Sequence, residues 1–242
     1  WLATLVSPNI FNRWGIDGDL SDILGMHYWG ADRFNPAQLI TYMFMHSTQD
    51  ITHLLFNMLA VYMFGVPLEY RWGSKRFLFY YFVTGLGAAV VQQLIWTIEF
   101  QPVVTAMNDA ISANSGRGLL AYQDQLSRYF RFENLGLFDA QHVFELKKMY
   151  LNLPVTVGAS GAVFGILLAF GWLFPDVKLM MLFFPVPIRA RIFVIIYGVA
   201  ELFLGVANFT GDNVAHFAHL GGMLFGIILI LVWKKKNGRT YL

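Results

Sequence analysis

Residues 214–233 read VAHFAHLGGMLFGIILILVW, and Lys234, Lys235 and Lys236 follow at once. A helix needs ~20 apolar residues to cross about 30 Å of hydrocarbon, and this run has the length and character of such a span. It carries two histidines in its first turns, at 216 and 219. Ionisable groups inside a membrane are costly and tend to mark function. The stretch therefore predicts a transmembrane helix with a reason to hold imidazoles near one end.

The rest of the chain agrees with a membrane assignment. Of 242 residues, 57% are hydrophobic, 17% aromatic and only 13% charged, and the mean hydropathy is +0.52. Soluble domains carry about a quarter charged residues, so this chain would expose too much apolar surface in water. A net charge of +2 gives no basis for a nucleic-acid partner. The absence of cysteine excludes disulfides, thiolate chemistry and cysteine-based metal sites.

Working outward, apolar segments lie at Ile51–Val66, Phe77–Thr97, Gly158–Phe174, Ile192–Phe209 and Val214–Trp233. Trp1–Val6 reads as the end of one more transmembrane helix whose beginning lies outside this sequence, giving six spans. The expected fold is an all-α polytopic membrane bundle forming a single domain over 1–242. Arg71, Lys75 and Arg76 follow the second span; Lys178, Arg189 and Arg191 follow the fourth. Lys234, Lys235, Lys236 and Arg239 follow the sixth. With alternating spans all ten fall on one side, which the positive-inside rule makes cytoplasmic. Residues 7–50 and 98–153 then face outward, the first with Asp17, Asp19, Asp22 and Asp32. In the second, periodic runs near Gly118–Phe130 and Gln141–Leu151 predict amphipathic helices at or above the interface.

The second, fourth and sixth spans all begin on the outer side, so their early residues share one depth. There sit His53 and Asn57, then Gly158, Ala159, Ser160 and Gly161, then His216 and His219. Singly, each has a plain structural reading. Gly-Ala-Ser-Gly permits close helix packing, HxxxN is an i, i+4 hydrogen-bonding pair, and a histidine near a helix end can sit at the wet interface. Together they supply a serine nucleophile, a base that could activate it, and donors for an oxyanion. Gly161 and Gly165 on one helix, with Gly222 and Gly226 on the other, would allow the approach a Ser160–His219 bond requires. No carboxylate is clearly placed to orient the base, so the expectation is a dyad. Glu201, midway along the fifth span, reads as structural, either protonated or paired with Gln92, Gln93 or His216. It could also influence the behaviour of that helix. Asn208-Phe209-Thr210 matches a glycosylation sequon by chance.

HLLFN (53–57), GVPLEYRWGSKRF (65–77), VGASGAVFG (157–165) and AHFAHLGGMLFG (215–226), in this order, resemble the rhomboid family, of the bacterial type. The resemblance covers nearly the whole chain except 98–153. It implies a rhomboid-like fold and intramembrane proteolysis of single-span substrate proteins within the lipid bilayer, with no cofactor or metal. The setting it implies is the cell inner membrane, with the site open to the outer side. It maps Ser160 to the nucleophile, His219 to the general base, and His53 and Asn57 to oxyanion helpers. His216 takes a supporting or structural place. Residues 7–46 match the family's interfacial first loop, and the fifth span its proposed lateral gate. The chain departs from the family at Ala37-Gln38, where a Trp-Arg pair is usual. Its spacing from His46 to His53 is also longer. Phe164, four residues after the serine, can stack under the His219 ring but has no hydroxyl. The competing readings are a catalytically silent relative that binds membrane clients, and a transporter. The first would usually lack the serine or the histidine. The second would carry polar groups through the full membrane depth.

Overall fold

A computed structural model of the chain describes residues 2–13, 19–47, 51–181, 184–207 and 214–237. Trp1, Asp17, residues 48–50 of the first loop, the 208–210 sequon with the end of the fifth predicted span, and Arg239 lie outside the described residues. The helices are α1 (Leu2–Arg13), α2 (Leu20–Leu24), α3 (Gln38–Thr41), α4 (Ile51–Ala60), α5 (Val66–Trp72), α6 (Ser74–Ser112), α7 (Gln123–Leu126), α8 (Ala140–Leu151), α9 (Ser160–Leu173), α10 (Ala190–Ala207) and α11 (His216–Asn237). Among the described residues, four segments are long and apolar enough to cross a membrane: Ile51–Trp72, Ser74–Ser112, Ala190–Ala207 and His216–Lys235. The chain is a multi-pass helical membrane protein. Each predicted span from the second to the sixth coincides with a helix. The fourth is the exception in length, because α9 has 14 residues and is only about 21 Å long at 1.5 Å per residue.

Prolines explain two local departures from regular α-helix. Pro67 has no N–H to give to the carbonyl four residues back, and a π turn over Val61–Gly65 joins α4 to α5 just before it. Pro8 lies inside α1 and leaves the Thr4 carbonyl without its usual donor. The Ser7 hydroxyl donates to that carbonyl at 2.8 Å. The helix therefore runs on to Arg13, past the end expected at Val6.

The chain divides into two compact units, one of residues 1–26, 36–92 and 156–242, the other of 27–35 and 93–155. In the first, α9 is buried along nearly its whole length, including Gly161, Phe164, Gly165 and Phe170. A methyl on Gly165 would stand 2.6 Å from Thr84 Cβ of α6, and the Tyr80 hydroxyl donates to the Gly165 carbonyl at 2.9 Å. Leu68, Phe77, Tyr80, Ile166, Ala169 and Ile230 form a further apolar cluster, with Trp72 and Trp233 packed on it. The Arg76 guanidinium lies 4.0 Å from the centre of the Trp233 ring, a cation–π contact. Between α9 and α10 an antiparallel hairpin pairs Lys178 with Arg189 and Leu179 with Ile188. Asp176 lies 3.7 Å from Arg189 and 3.6 Å from Arg191.

The second unit has a core of its own, built from Val103, Met107, Ala110, Leu119, Leu126, Leu135, Val143, Leu146 and Tyr150. Val103, Met107 and Ala110 belong to α6, which runs past the predicted end at Thr97 and through Pro102 to Ser112. Glu99, Gln101 and Pro102 look like the exit from a span. The i, i+4, i+7 apolar face beyond them continues the helix because it has a core to join. The α8 helix matches the amphipathic run expected at 141–151 and is capped by Asp139, whose carboxylate accepts the His142 N–H at 2.9 Å. Its Val143, Leu146 and Tyr150 are buried in this core, so the face expected at the membrane interface packs on protein. The run near 118–130 forms a 3-10 stretch over Gly116–Tyr122 followed by the short α7. Gly116 and Gly118 weaken a regular α-helix there.

Candidate active site

The loop entering α9 places Ser160 at the helix start. Gly158 has φ 119°, a left-handed conformation that favours glycine. Its N–H donates to the Tyr42 carbonyl at 2.9 Å, and the Tyr42 hydroxyl donates to the Gly85 carbonyl of α6 at 2.8 Å. The backbone just before the serine is thus tied to two other elements. Irregular backbone at membrane depth is tolerated where protein or a wet cavity satisfies it. Ser160 itself is half-buried.

His219 Nε2 lies 2.8 Å from Ser160 Oγ. The approach depends on glycine, since a Cβ on Gly222 would collide with the Gly161 carbonyl. Phe164 stacks under the imidazole, with ring centres 4.2 Å apart and planes within 6°. On the opposite edge of the ring, His219 Nδ1 lies 2.8 Å from Glu201 Oε2. His216 Nδ1 lies 2.7 Å from the same oxygen. Glu201 and His219 are each 7% exposed and His216 8%, so solvent contributes little to holding this arrangement.

On α4, the His53 ring lies over Gly158, where a Cβ would come within 2.9 Å of its Cε1 and 3.0 Å of its Nε2. The Ser47 N–H donates to His53 Nδ1 at 3.5 Å, a long bond that favours the proton on Nε2. Asn57 is buried, and its side-chain amide donates to the His53 carbonyl at 2.8 Å. His46 is the other histidine here, its ring centre 5.4 Å from that of His53.

The structure therefore brings together Ser160, His219, Gly161, Gly222, Phe164 and His216, with His53 beside Gly158 and Asn57 bonded to His53. Gly226 lies further along α11, where a Cβ would meet the Tyr80 hydroxyl. The expectation that no carboxylate stands beside the base is corrected: Glu201 does. Of the three partners considered for Glu201, His216 is the one observed, and Gln93 instead donates to the His27 carbonyl at 2.6 Å within the second unit. A signal was present, because Glu201 lies in the last two turns of α10 and His216 and His219 open α11 after a short link. Glu201, His216 and His219 are also the one group of histidine and acidic side chains, among the described residues, that could hold a metal ion. Their short N···O separations are those of hydrogen bonds.

A half-buried serine bonded to a buried histidine across two helices defines the class as a multi-pass helical membrane protein with a serine–histidine pair inside its bundle. The rhomboid domain model matches residues 33–100 and 134–236, and the chain belongs to the rhomboid family. Its match is interrupted at 101–133, within the second unit. An uncharacterized mitochondrial rhomboid protein of Schizosaccharomyces pombe is 27% identical over 209 residues, covering 82% of this chain and 52% of that protein. The mitochondrial rhomboid protein 1 of Saccharomyces cerevisiae is 28% identical over 182 residues, covering 75% of this chain and 38% of that protein. The chain spans about half or less of the length of these relatives, and neither supports a specifically bacterial type. No solved structure matches the chain.

Proposed function

We propose that this chain is an intramembrane serine endopeptidase that cleaves single-span membrane proteins near the outer face of the bilayer. The 2.8 Å separation between Ser160 Oγ and His219 Nε2 carries the reading. Ser160 Oγ attacks the scissile carbonyl carbon as its proton passes to His219 Nε2. The C–N bond then breaks as that proton is delivered to the leaving amine, leaving an acyl-serine ester. Water attacks the ester, gives a proton to the same nitrogen, and releases the new carboxyl terminus and the serine. His53 Nε2–H, the Asn57 amide and the Ser160 N–H at the start of α9 are the donors for the tetrahedral oxyanion. The basic residues at the ends of the second, fourth and sixth predicted spans favour a cytoplasmic C-terminus in an inner membrane, with the site opening outward.

The silent-relative reading is disfavoured because both serine and histidine are kept, in contact. A transporter is disfavoured because Ser160, His219, Glu201 and His216 are engaged with one another in one hydrogen-bonded chain. The test is labelling of the detergent-solubilised full chain with a fluorophosphonate. Labelling should vanish in Ser160→Ala and fall strongly in His219→Ala. Equal labelling of wild type and Ser160→Ala would overturn the assignment. Replacing His53 or Asn57 should lower turnover of a single-span reporter more than its binding, and a change confined to KM would contradict the oxyanion role.

A further inference from the structure

We propose that Glu201 is a positioning residue for the base, holding His219 in the one tautomer and ring orientation that can serve Ser160. The inference rests on the protease reading above.

A neutral imidazole has one N–H and one lone pair, and either nitrogen can carry the proton. An ionised carboxylate only accepts, so Glu201 Oε2 at 2.8 Å from Nδ1 selects the Nδ1–H form. The lone pair then belongs to Nε2, which faces Ser160 Oγ at 2.8 Å. Phe164 cannot make that selection. A ring stacked at 4.2 Å fixes the imidazole plane, yet the same stack survives a half-turn within that plane that points carbon atoms at Ser160. The phenyl face sets the plane, and the carboxylate sets which edge looks at the serine.

The carboxylate is itself held. His216 Nδ1 approaches the same Oε2 at 2.7 Å, so two imidazole donors converge on one buried oxygen. Among the described residues, the polar and charged groups recorded around His219 are Ser160 from α9, Glu201 from α10 and His216 from α11. Tyr197 of α10 lies beside Phe164, with ring centres 5.3 Å apart. Among these, Glu201 alone is placed to accept from Nδ1.

The test uses the full chain in detergent and a fluorophosphonate, measuring the maximal inactivation rate and the half-saturating probe concentration separately. Glu201→Gln should lower the maximal rate by up to about 10⁴-fold, because an amide also tolerates the wrong tautomer. Half-saturation should stay within about twofold, and Glu201→Asp should recover part of the rate, since rate rather than binding carries the effect. A purely structural tie would lower the melting temperature and the folded fraction but not the rate per folded site. Nitrogen-15 NMR of histidine-labelled wild type checks the same point without a variant, and His219 should show Nδ1 protonated and Nε2 bare. Either an unchanged maximal rate in folded Glu201→Gln or an Nε2–H tautomer in wild type would overturn the positioning role while leaving Ser160 labelling intact. A wild type that does not label would remove the protease reading, and this inference with it.

Discussion

Gly222 of α11 rests against the carbonyl of Gly161 of α9, so closely that no side chain fits between them. Gly161 follows Ser160 directly, and Gly222 lies one turn beyond His219. The gap between nucleophile and base therefore depends on the side chain missing at Gly222, while a Cβ on Gly161 would press on Ala88 of α6 at 2.5 Å.

Gly222→Ala should push the helices apart and cost about 1–3 kcal/mol of stability, the usual range for overpacking. The larger effect should be on reactivity, since misplacement by an ångström can cost about 10²-fold. Fluorophosphonate labelling and thermal unfolding of the same sample separate the two. Wild-type labelling in Gly222→Ala would show that the backbone contact does not govern the site.

Acid sensitivity should have a component from His46. Burial, reinforced by the neighbouring His53, lowers its pKa from 6.5 to about 4. Between those values the unfolded chain binds a proton that the folded chain does not, so stability falls as pH drops from 6.5 to 4 and levels off below. The apparent melting temperature should track that window, and its slope should shrink in His46→Gln. An unaltered slope in that variant would assign the acid response elsewhere.

The absence of cysteine makes topology directly measurable. Val214→Cys and Lys234→Cys place thiols at exposed positions toward opposite ends of α11. In sealed vesicles an impermeant maleimide should reach the first from the outer side and the second only from the cytoplasmic side. Labelling of both from one side would contradict the orientation drawn from the basic flanks.

Much of the architecture was readable because lipid imposes length and polarity rules. The segments around Ile51, Phe77, Ile192 and Val214 stand out as long apolar runs, and each is a helix. Ser160 and His219 were readable together because glycines accompany both. Glu201 escaped as the partner of the base because spacing along one helix does not say which groups of two helices touch. The overrun of α6 escaped because Glu99 and Pro102 look like an exit, while the surface that keeps the helix going is supplied by Leu119, Leu135 and Leu146, distant in sequence. The apolar face of α8 was visible. What it packs against is a tertiary fact.

The 14-residue length of α9 reaches beyond the placement of Ser160. A helix of about 21 Å cannot match about 30 Å of hydrocarbon. The amides of its first turn need protein or water as partners. Because α9 is buried among other helices, the missing length is made up by protein, by solvent entering the bundle, or by thinning of the lipid around it. Acyl-chain length thereby becomes a variable of the reaction. In liposomes of graded thickness, turnover of one reporter should pass through an optimum and decline in the thickest bilayers. A rate indifferent to the lipid would mean that the protein keeps its own wet pocket whatever surrounds it.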